Sequence, residues 1–172
     1  IAEGDTLGLQ ATAEGSDLGL VSSYSWDLQH NGVVYSDVAT RQDPTLTWSS
    51  LQGRTPAIND DGEFSVKVRV MYINGREVPS GFTKVKVNNT DPSLTLNNVA
   101  AINENGTATL TGTILEPSAA DTFTIVVNWG DPSSPSNVET YNLAATSTGG
   151  QNFLLTHQYL DDDPTNTAAD AY

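Results

Sequence analysis

The residues in this sequence that could do chemistry are carboxylates gathered in turn-like segments. Asp60 and Asp61 precede an alternating apolar run, and Asp161–Asp163 form an acidic run near the end. Calcium takes six to eight oxygen ligands from carboxylates, carbonyls and water, so these clusters suit it. A zinc or copper site is not expected, because the sequence offers only His30 and His157 as histidine ligands and contains no cysteine.

Motifs for catalysis are absent from the sequence. There is no Gly-x-Ser-x-Gly elbow, no His-Glu-x-x-His segment and no glycine-rich phosphate loop followed by lysine. The lack of cysteine excludes a thiol nucleophile and a disulfide framework. The sequence does not exclude a pair of carboxylates suited to glycoside hydrolysis. The acidic residues lie in repeated turns, however, whereas an active site is unique, so we expect a protein that is not an enzyme.

The charge balance excludes two classes of partner. The 172-residue chain carries 7 basic and 21 acidic side chains, a net charge of -14. Phosphate binding depends on lysine and arginine, so we expect no nucleic-acid binding, and no apolar run is long enough for membrane insertion. The imbalance concentrates in residues 91–172, which hold ten acidic side chains and no lysine or arginine. A divalent cation would offset this repulsion, and solvation with salt screening is the alternative.

Period-two alternation predicts β-strands along the chain, and helix signals are absent. Phe64–Val70 places apolar side chains on one face, and Phe123–Trp129 does the same. Asn74-Gly75 predicts a hairpin turn with positive φ at both residues and a return strand over Phe82–Val87. Short strands with turn signals between them predict an all-β sandwich or barrel.

Three landmarks recur at a spacing of about 100 residues. They pair Glu3 with Glu104, Trp26 with Trp129, and Asp60–Phe64 with Asp161–Tyr172. This repeat predicts tandem modules over residues 1–88 and 89–172, with a polar linker at Asn88–Pro92. By the same alignment, we expect module one to lack its first strand. We expect module two to lack its last strands, which lie further along a longer chain or come from a neighbouring subunit.

The segments around the second tryptophan resemble the PKD (polycystic kidney disease) domain family. Val127–Asp131, Thr156–Tyr159 and Ala171–Tyr172 follow the order of its motifs in module two, and Tyr24–Asp27 and Gly62–Val66 match in module one. Module one departs from the pattern because it has no His-x-Tyr segment. The resemblance implies an extracellular, seven-stranded, immunoglobulin-like sandwich that serves as a spacer, adhesion or carbohydrate-associated module. Cadherin-like repeats are the alternative, because the linker resembles theirs.

In a seven-stranded sandwich with alternating strand directions, several acidic turns fall at one pole of each module. Glu3, Asp5 and Glu63 are expected at the pole of module one, next to the linker. The hypothesis is that calcium binds these poles, whereas the alternative is that aspartate and glycine only form turns. The candidate metal ligands are Glu104, Asp131, Asp161, Asp162, Asp163, Asp27, Asp60, Asp61 and Asp91.

The aromatic residues favour roles in packing. Trp26 and Trp129 each share a face with apolar neighbours and are predicted core residues. Trp48 is predicted to be either core or a sugar-stacking surface, with core favoured. His157 is expected to pack or form hydrogen bonds near Tyr159.

These observations favour a non-catalytic structural or adhesive repeat of a large secreted bacterial cell-surface protein, such as an adhesin, stalk, surface layer or filament. The absence of cysteine and the acidic composition favour a location outside a bacterial cell. The alternative is an accessory carbohydrate- or protein-binding module of a secreted degradative enzyme. The expected partners are neighbouring repeats of the same chain, like subunits, or extracellular polysaccharide or protein.

Overall fold

The computed structural model describes residues 1–14, 20–38, 40–103 and 105–160 of the chain. The chain divides into two compact units, Ile1–Thr90 and Asp91–Tyr172. Among the described residues, no helix is long and apolar enough to cross a membrane.

The described residues of the first unit form five strands and one short helix. They are β1 (Leu7–Gly8), β2 (Val21–Asp27), β3 (Thr45–Leu46), α1 (Trp48–Gln52), β4 (Gly62–Tyr72) and β5 (Glu77–Val87). All strand pairs are antiparallel, with β1 beside β3 in one sheet and β2-β4-β5 in the other. This division of strands is that of the immunoglobulin fold, in which the third, sixth and seventh strands share one sheet.

The hairpin between β4 and β5 was predicted and is confirmed, with a different turn. Tyr72 N–H donates to Arg76 O at 2.9 Å, which leaves three residues in the loop. Gly75 alone has a positive φ, of 81°, whereas positive φ was expected at Asn74 as well. A three-residue loop needs only one left-handed residue, and the Asn74 side chain accepts the Arg76 N–H at 3.0 Å.

The core of the first unit lies between its two sheets. Leu7 and Leu46 from the small sheet meet Trp26, Val66 and Val87 from the large one, and all five are buried. Removing these side chains from water on both inner faces holds the sheets together.

The helix α1 was not expected from the sequence. Its five residues are too few to show a helical period, and it begins where the Thr47 side chain accepts the Ser50 N–H. It buries Trp48 and Leu51, so Trp48 belongs to the core, as favoured.

In the part of the second unit that the structure describes, there are five strands in two sheets. They are β6 (Ser93–Leu96), β7 (Thr107–Leu115), β8 (Phe123–Asn128), β9 (Val138–Leu143) and β10 (Gln151–Gln158). One sheet has the order β10-β7-β6 and the other pairs β8 with β9. Ile114, Phe153 and Leu155 from the first sheet pack with Trp129, which follows β8. Both units are therefore all-β, immunoglobulin-like sandwiches, as the sequence predicted.

Candidate metal centre

One end of the first unit is closed by the start of the chain. Ala2 forms a parallel bridge with Asn88, and Glu3 N–H donates to Asn88 O at 3.0 Å. The Asp5 side chain turns the backbone there by accepting the Ala2 N–H at 2.8 Å. This pairing carries Glu3 into the end of the sandwich, beside the residues that follow β5.

The Glu3 carboxylate is buried, with only 3% of the residue exposed. Its Oε2 accepts the Thr90 N–H at 3.0 Å, and its main-chain oxygen accepts the Thr90 hydroxyl at 3.0 Å. These two bonds join residues 87 positions apart. The first holds the carboxylate and the second holds the backbone of Glu3 at the end of the unit.

Glu3, Asp60 and Asp61 form a carboxylate trio. Each contributes an oxygen, and these oxygens all lie within 4.8 Å of one another. Asp60 and Asp61 come just before β4, and the Asp60 side chain accepts the Asp61 N–H at 2.9 Å. Three negative groups this close repel each other, and a cation among them would turn that repulsion into attraction. Hard oxygen ligands of this kind suit calcium.

Asp27 does not belong to this trio. Its Oδ1 accepts the backbone N–H groups of Gln29 and Asn31, at 3.3 and 3.1 Å, and its Oδ2 accepts that of Gly32 at 2.8 Å. Three amide donors hold the carboxylate in the loop after β2. Its observed role is to shape that loop.

Asp131 lies in a buried cluster of the second unit. Its Oδ2 is 3.1 Å from His157 Nε2, and the two residues are 7% and 4% exposed. The His157 ring stacks on Trp129 at 5.1 Å and meets the edge of Tyr159 at 4.9 Å. The expected packing of His157 near Tyr159 is confirmed. One oxygen of Asp131 is thus engaged by the imidazole.

Glu139 accepts two hydrogen bonds beside the same tryptophan. Trp129 Nε1–H and the Tyr141 hydroxyl both donate to Glu139 Oε2 at 2.8 Å. These bonds, that of Tyr141 foremost, lower the pKa of Glu139 because they favour its charged form. The tryptophan is therefore positioned by its polar edge as well as by its apolar face.

Glu116 is a buried carboxylate that the sequence reasoning did not single out. Its Oε1 accepts the Ser118 N–H at 3.1 Å, and its Oε2 is buried without a hydrogen-bond partner. Burial raises the pKa of Glu116, the Ser118 bond opposes that shift, and the charges of Asp121 and Asp91 add to it. Glu116 follows an alternating strand with no acidic neighbour in sequence, so no local signal marked it.

The remaining predicted ligands are placed as follows. Asp91 is exposed at the start of the second unit. Glu104 and Asp161–Asp163 lie outside the described residues. Among the described candidates, the structure brings together Asp60 and Asp61, and it adds Glu3 to them. Glu3 was expected at this pole but not as a ligand, although its repeat counterpart Glu104 was a candidate.

No protein-family model and no curated protein matches this chain. One similar solved structure is that of fibronectin(III)-like modules of Clostridium thermocellum CbhA. The two are 16% identical over 99% of this chain and 84% of the other, with a TM-score of 0.38. A likeness at this level carries no argument about function.

Proposed function

We propose that this chain is a non-catalytic structural repeat of a large secreted bacterial surface protein. In this proposal each unit is a PKD-like, immunoglobulin-like module, and the chain acts outside the cell as a spacer or adhesive segment. Calcium stabilises the first unit at its carboxylate trio.

The observation that carries this proposal is the convergence of Glu3, Asp60 and Asp61. Glu3 is a residue with only 3% exposure, and burying its carboxylate beside two other acids costs free energy unless a positive charge compensates it. Three carboxylates supply between three and six oxygens, and carbonyls or water complete the shell that calcium needs. Magnesium fits less well, because it demands a near-ideal octahedron and keeps several waters.

The trio lies where an ion would fasten separate parts of the first unit. Glu3 belongs to the start of the chain, and it is bonded to Thr90 after β5. Asp60 and Asp61 belong to the turn that leads into β4. An ion at this point would join segments that are far apart in sequence. Its role would be to resist opening of the unit, which is a structural role.

The buried His157–Asp131 pair supports the non-catalytic part of the proposal. A histidine and a carboxylate at 3.1 Å are also found in catalytic sites. Here both residues are more than nine-tenths buried, and aromatic rings pack on the imidazole. The arrangement suits a packing role in the second sandwich.

Thermal unfolding in calcium and in chelator tests the calcium site. We expect calcium to raise the free energy of unfolding by about 2.7 kcal/mol when its free concentration is 100 times Kd, because it binds only the folded state. The double variant Asp60→Asn/Asp61→Asn should lose this gain. Asp43→Asn, which removes an exposed carboxylate of the same unit, should keep it.

Two results would contradict parts of the proposal. Equal melting temperatures in calcium and chelator for the wild-type chain would remove the calcium site. Saturable retention of the chain on an insoluble polysaccharide, in a co-sedimentation assay, would favour the accessory binding module over the structural repeat.

A further inference from the structure

The outer face of the β2-β4-β5 sheet carries most of the basic side chains of this acidic chain. Trp26 and Val66 point into the core, so the residues beside them in β2 and β4 point outward. Residues of β5 that are paired with the outward positions of β4 share this face. Four of the seven lysines and arginines lie on it, namely Lys67, Arg69, Lys84 and Lys86.

A pocket of about 230 Å³ lies on this outer face, between β2 and β4. Ser25 and Asp27 line it on the side of β2, and Lys67 and Arg69 line it on the side of β4. The volume is roughly that of eight liquid waters. It has room for one sugar ring, whereas a stable protein interface needs a much wider area.

The loop after β2 places an imidazole beside this pocket. The Asp27 carboxylate accepts backbone N–H groups on both sides of His30, and His30 itself has a left-handed φ of 48°. The His30 ring stacks on Phe82 of β5, with the ring centroids 5.6 Å apart. Phe82 is 62% exposed, so its ring offers an open apolar surface on the same face as Lys67, its cross-strand partner.

The cations of the pocket wall are available to a ligand. Arg69 contacts Glu77 through Nη1 at 3.1 Å and its side chain is 51% exposed, so its other N–H donors can bind an anion. Within the described ranges, Lys67 forms no ion pair. Asp27 is opposite Lys67 in register, but three backbone N–H groups already engage its carboxylate. An internal ion pair therefore does not close the pocket.

These groups together match the chemistry of an acidic sugar. A guanidinium binds a carboxylate through two parallel hydrogen bonds, and a lysine adds a point charge. The negative face of a phenyl ring suits the C–H groups on the apolar side of a sugar ring. The hydroxyl of Ser25 and the carboxylate of Asp27 can bond to sugar hydroxyls. An acidic protein side chain would use the cations but has no ring to pack on Phe82.

We infer that the outer face of the β2-β4-β5 sheet binds uronic acid residues of an acidic extracellular polysaccharide. Arg69 and Lys67 bind the carboxylate, Phe82 packs on the sugar ring, and His30 forms the side of the pocket. This inference rests on the adhesive part of the proposed function and does not depend on calcium. The net charge of the chain does not prevent binding, because charges more than about 8 Å away are largely screened at physiological salt.

The test uses the full 172-residue chain and two fluorescent probes, short oligomers of galacturonic acid and of mannuronic acid. Binding is followed by fluorescence anisotropy in the presence of chelator, so that calcium cannot bridge the probe to the acidic residues. We expect saturable binding of at least one probe in the millimolar range or tighter. The methyl ester of the same oligomer keeps the sugar ring but loses its charge, and it should bind at least tenfold more weakly.

Matched variants locate the site. Arg69→Gln should weaken binding at least tenfold, whereas Arg76→Gln removes the same charge in the turn of the same hairpin, outside the pocket, and should change binding less than twofold. Phe82→Ala should weaken binding at least fivefold. Ile73→Ala, at a residue that is 68% exposed near the same turn, should change it less than twofold. All four side chains lie on the hairpin surface, and thermal melts confirm that the variants fold.

Four outcomes would overturn the inference. They are no saturable binding of either probe, equal binding of the methyl ester, equal weakening by Arg69→Gln and Arg76→Gln, and self-association of the chain that Arg69→Gln abolishes. The last would make an acidic surface of a second copy the occupant.

Failure of this inference is distinguishable from failure of the proposed function. An absence of uronate binding leaves the structural repeat and its calcium shift untouched. Retention on an insoluble polysaccharide without uronate binding would contradict both.

Discussion

The two units differ in how far their cores are closed. In the first unit, Leu28 and Leu51 have no exposed surface, and Val66 and Val87 are 2% and 1% exposed. In the second, the inward residues of β8, which start at Phe123, are only partly buried. Among the described residues, β4 lies between β2 and β5 in the large sheet of the first unit, whereas β8 of the second unit pairs with β9 in a two-stranded sheet. The tryptophan strand of the first unit therefore belongs to the wider sheet.

The largest expected effect comes from the same leucine truncation made in each unit. Leu51→Ala should reduce the free energy of unfolding of the first unit by about 3 kcal/mol, because it leaves a cavity in a closed core. Leu143→Ala, at a partly buried position of β9, should cost about 1 kcal/mol because water already reaches that site. Urea unfolding, monitored by hydrogen exchange in peptides from each unit, measures both losses of free energy. Equal losses would show that the two cores are equally closed.

A glycine-to-alanine pair gives the next largest effect. A Cβ on Gly112 of β7 would lie 2.5 Å from Thr95 O and 2.6 Å from Phe153 Cζ, so Gly112→Ala should cost about 2 kcal/mol. A Cβ on Gly8 of β1 would meet nothing within 4 Å, so Gly8→Ala should be neutral or stabilise by up to about 0.5 kcal/mol. Thermal melts compare the variants. A neutral Gly112→Ala would mean that β6 and the Phe153 ring can both move away from β7.

Two glutamates should respond to pH in opposite directions. Burial raises the pKa of Glu116, so the folded state binds a proton more tightly than the unfolded state does. The free energy of unfolding therefore falls as the pH rises from the ordinary glutamate pKa through the raised one. Glu116→Gln should therefore stabilise by about 1 kcal/mol at pH 7 and have little effect at pH values below the ordinary glutamate pKa.

Glu63 of the first unit provides the contrast. Lys84 lowers the pKa of Glu63, so this carboxylate stabilises the fold above the ordinary glutamate pKa and less as pH falls through the lowered one. Glu63→Gln should cause a small loss of melting temperature at pH 7 and none in strong acid. Melts of both variants between pH 3 and pH 8 check the opposite signs. Parallel profiles would refute the comparison.

The sequence predicted features that depend on local pattern. Alternation placed Val66 and Trp129 in the cores, and Asn74-Gly75 marked the hairpin, because both signals lie within a few residues. The return strand begins at Glu77, earlier than the predicted Phe82, because Pro79 and Gly81 obscure the alternation there.

The sequence did not predict contacts between distant positions. Nothing near Glu3 indicates that Thr90 binds its carboxylate, since the two are 87 positions apart. His157 was placed beside Tyr159, but its bond to Asp131 depends on how β8 and β10 face each other. The acidic turns expected at one pole of the first unit suggested that their carboxylates form one cluster. Asp27 does not join it, because its carboxylate accepts backbone N–H groups of its own loop. Proximity at a pole was thus predictable, whereas side-chain direction was not.

The parallel pairing at the end of the first unit also has a mechanical consequence. Ile1–Glu3 and the residues after β5 run in the same direction, joined by Glu3 N–H to Asn88 O and Asn88 N–H to Ile1 O, each at 3.0 Å. A pull applied at Ile1 and at Thr90 slides these two segments past each other and loads their hydrogen bonds in shear. The bonds to Thr90 share that load, so they must break together and not one after another. The first unit is therefore expected to resist stretching at its two ends more strongly than its modest number of terminal contacts suggests.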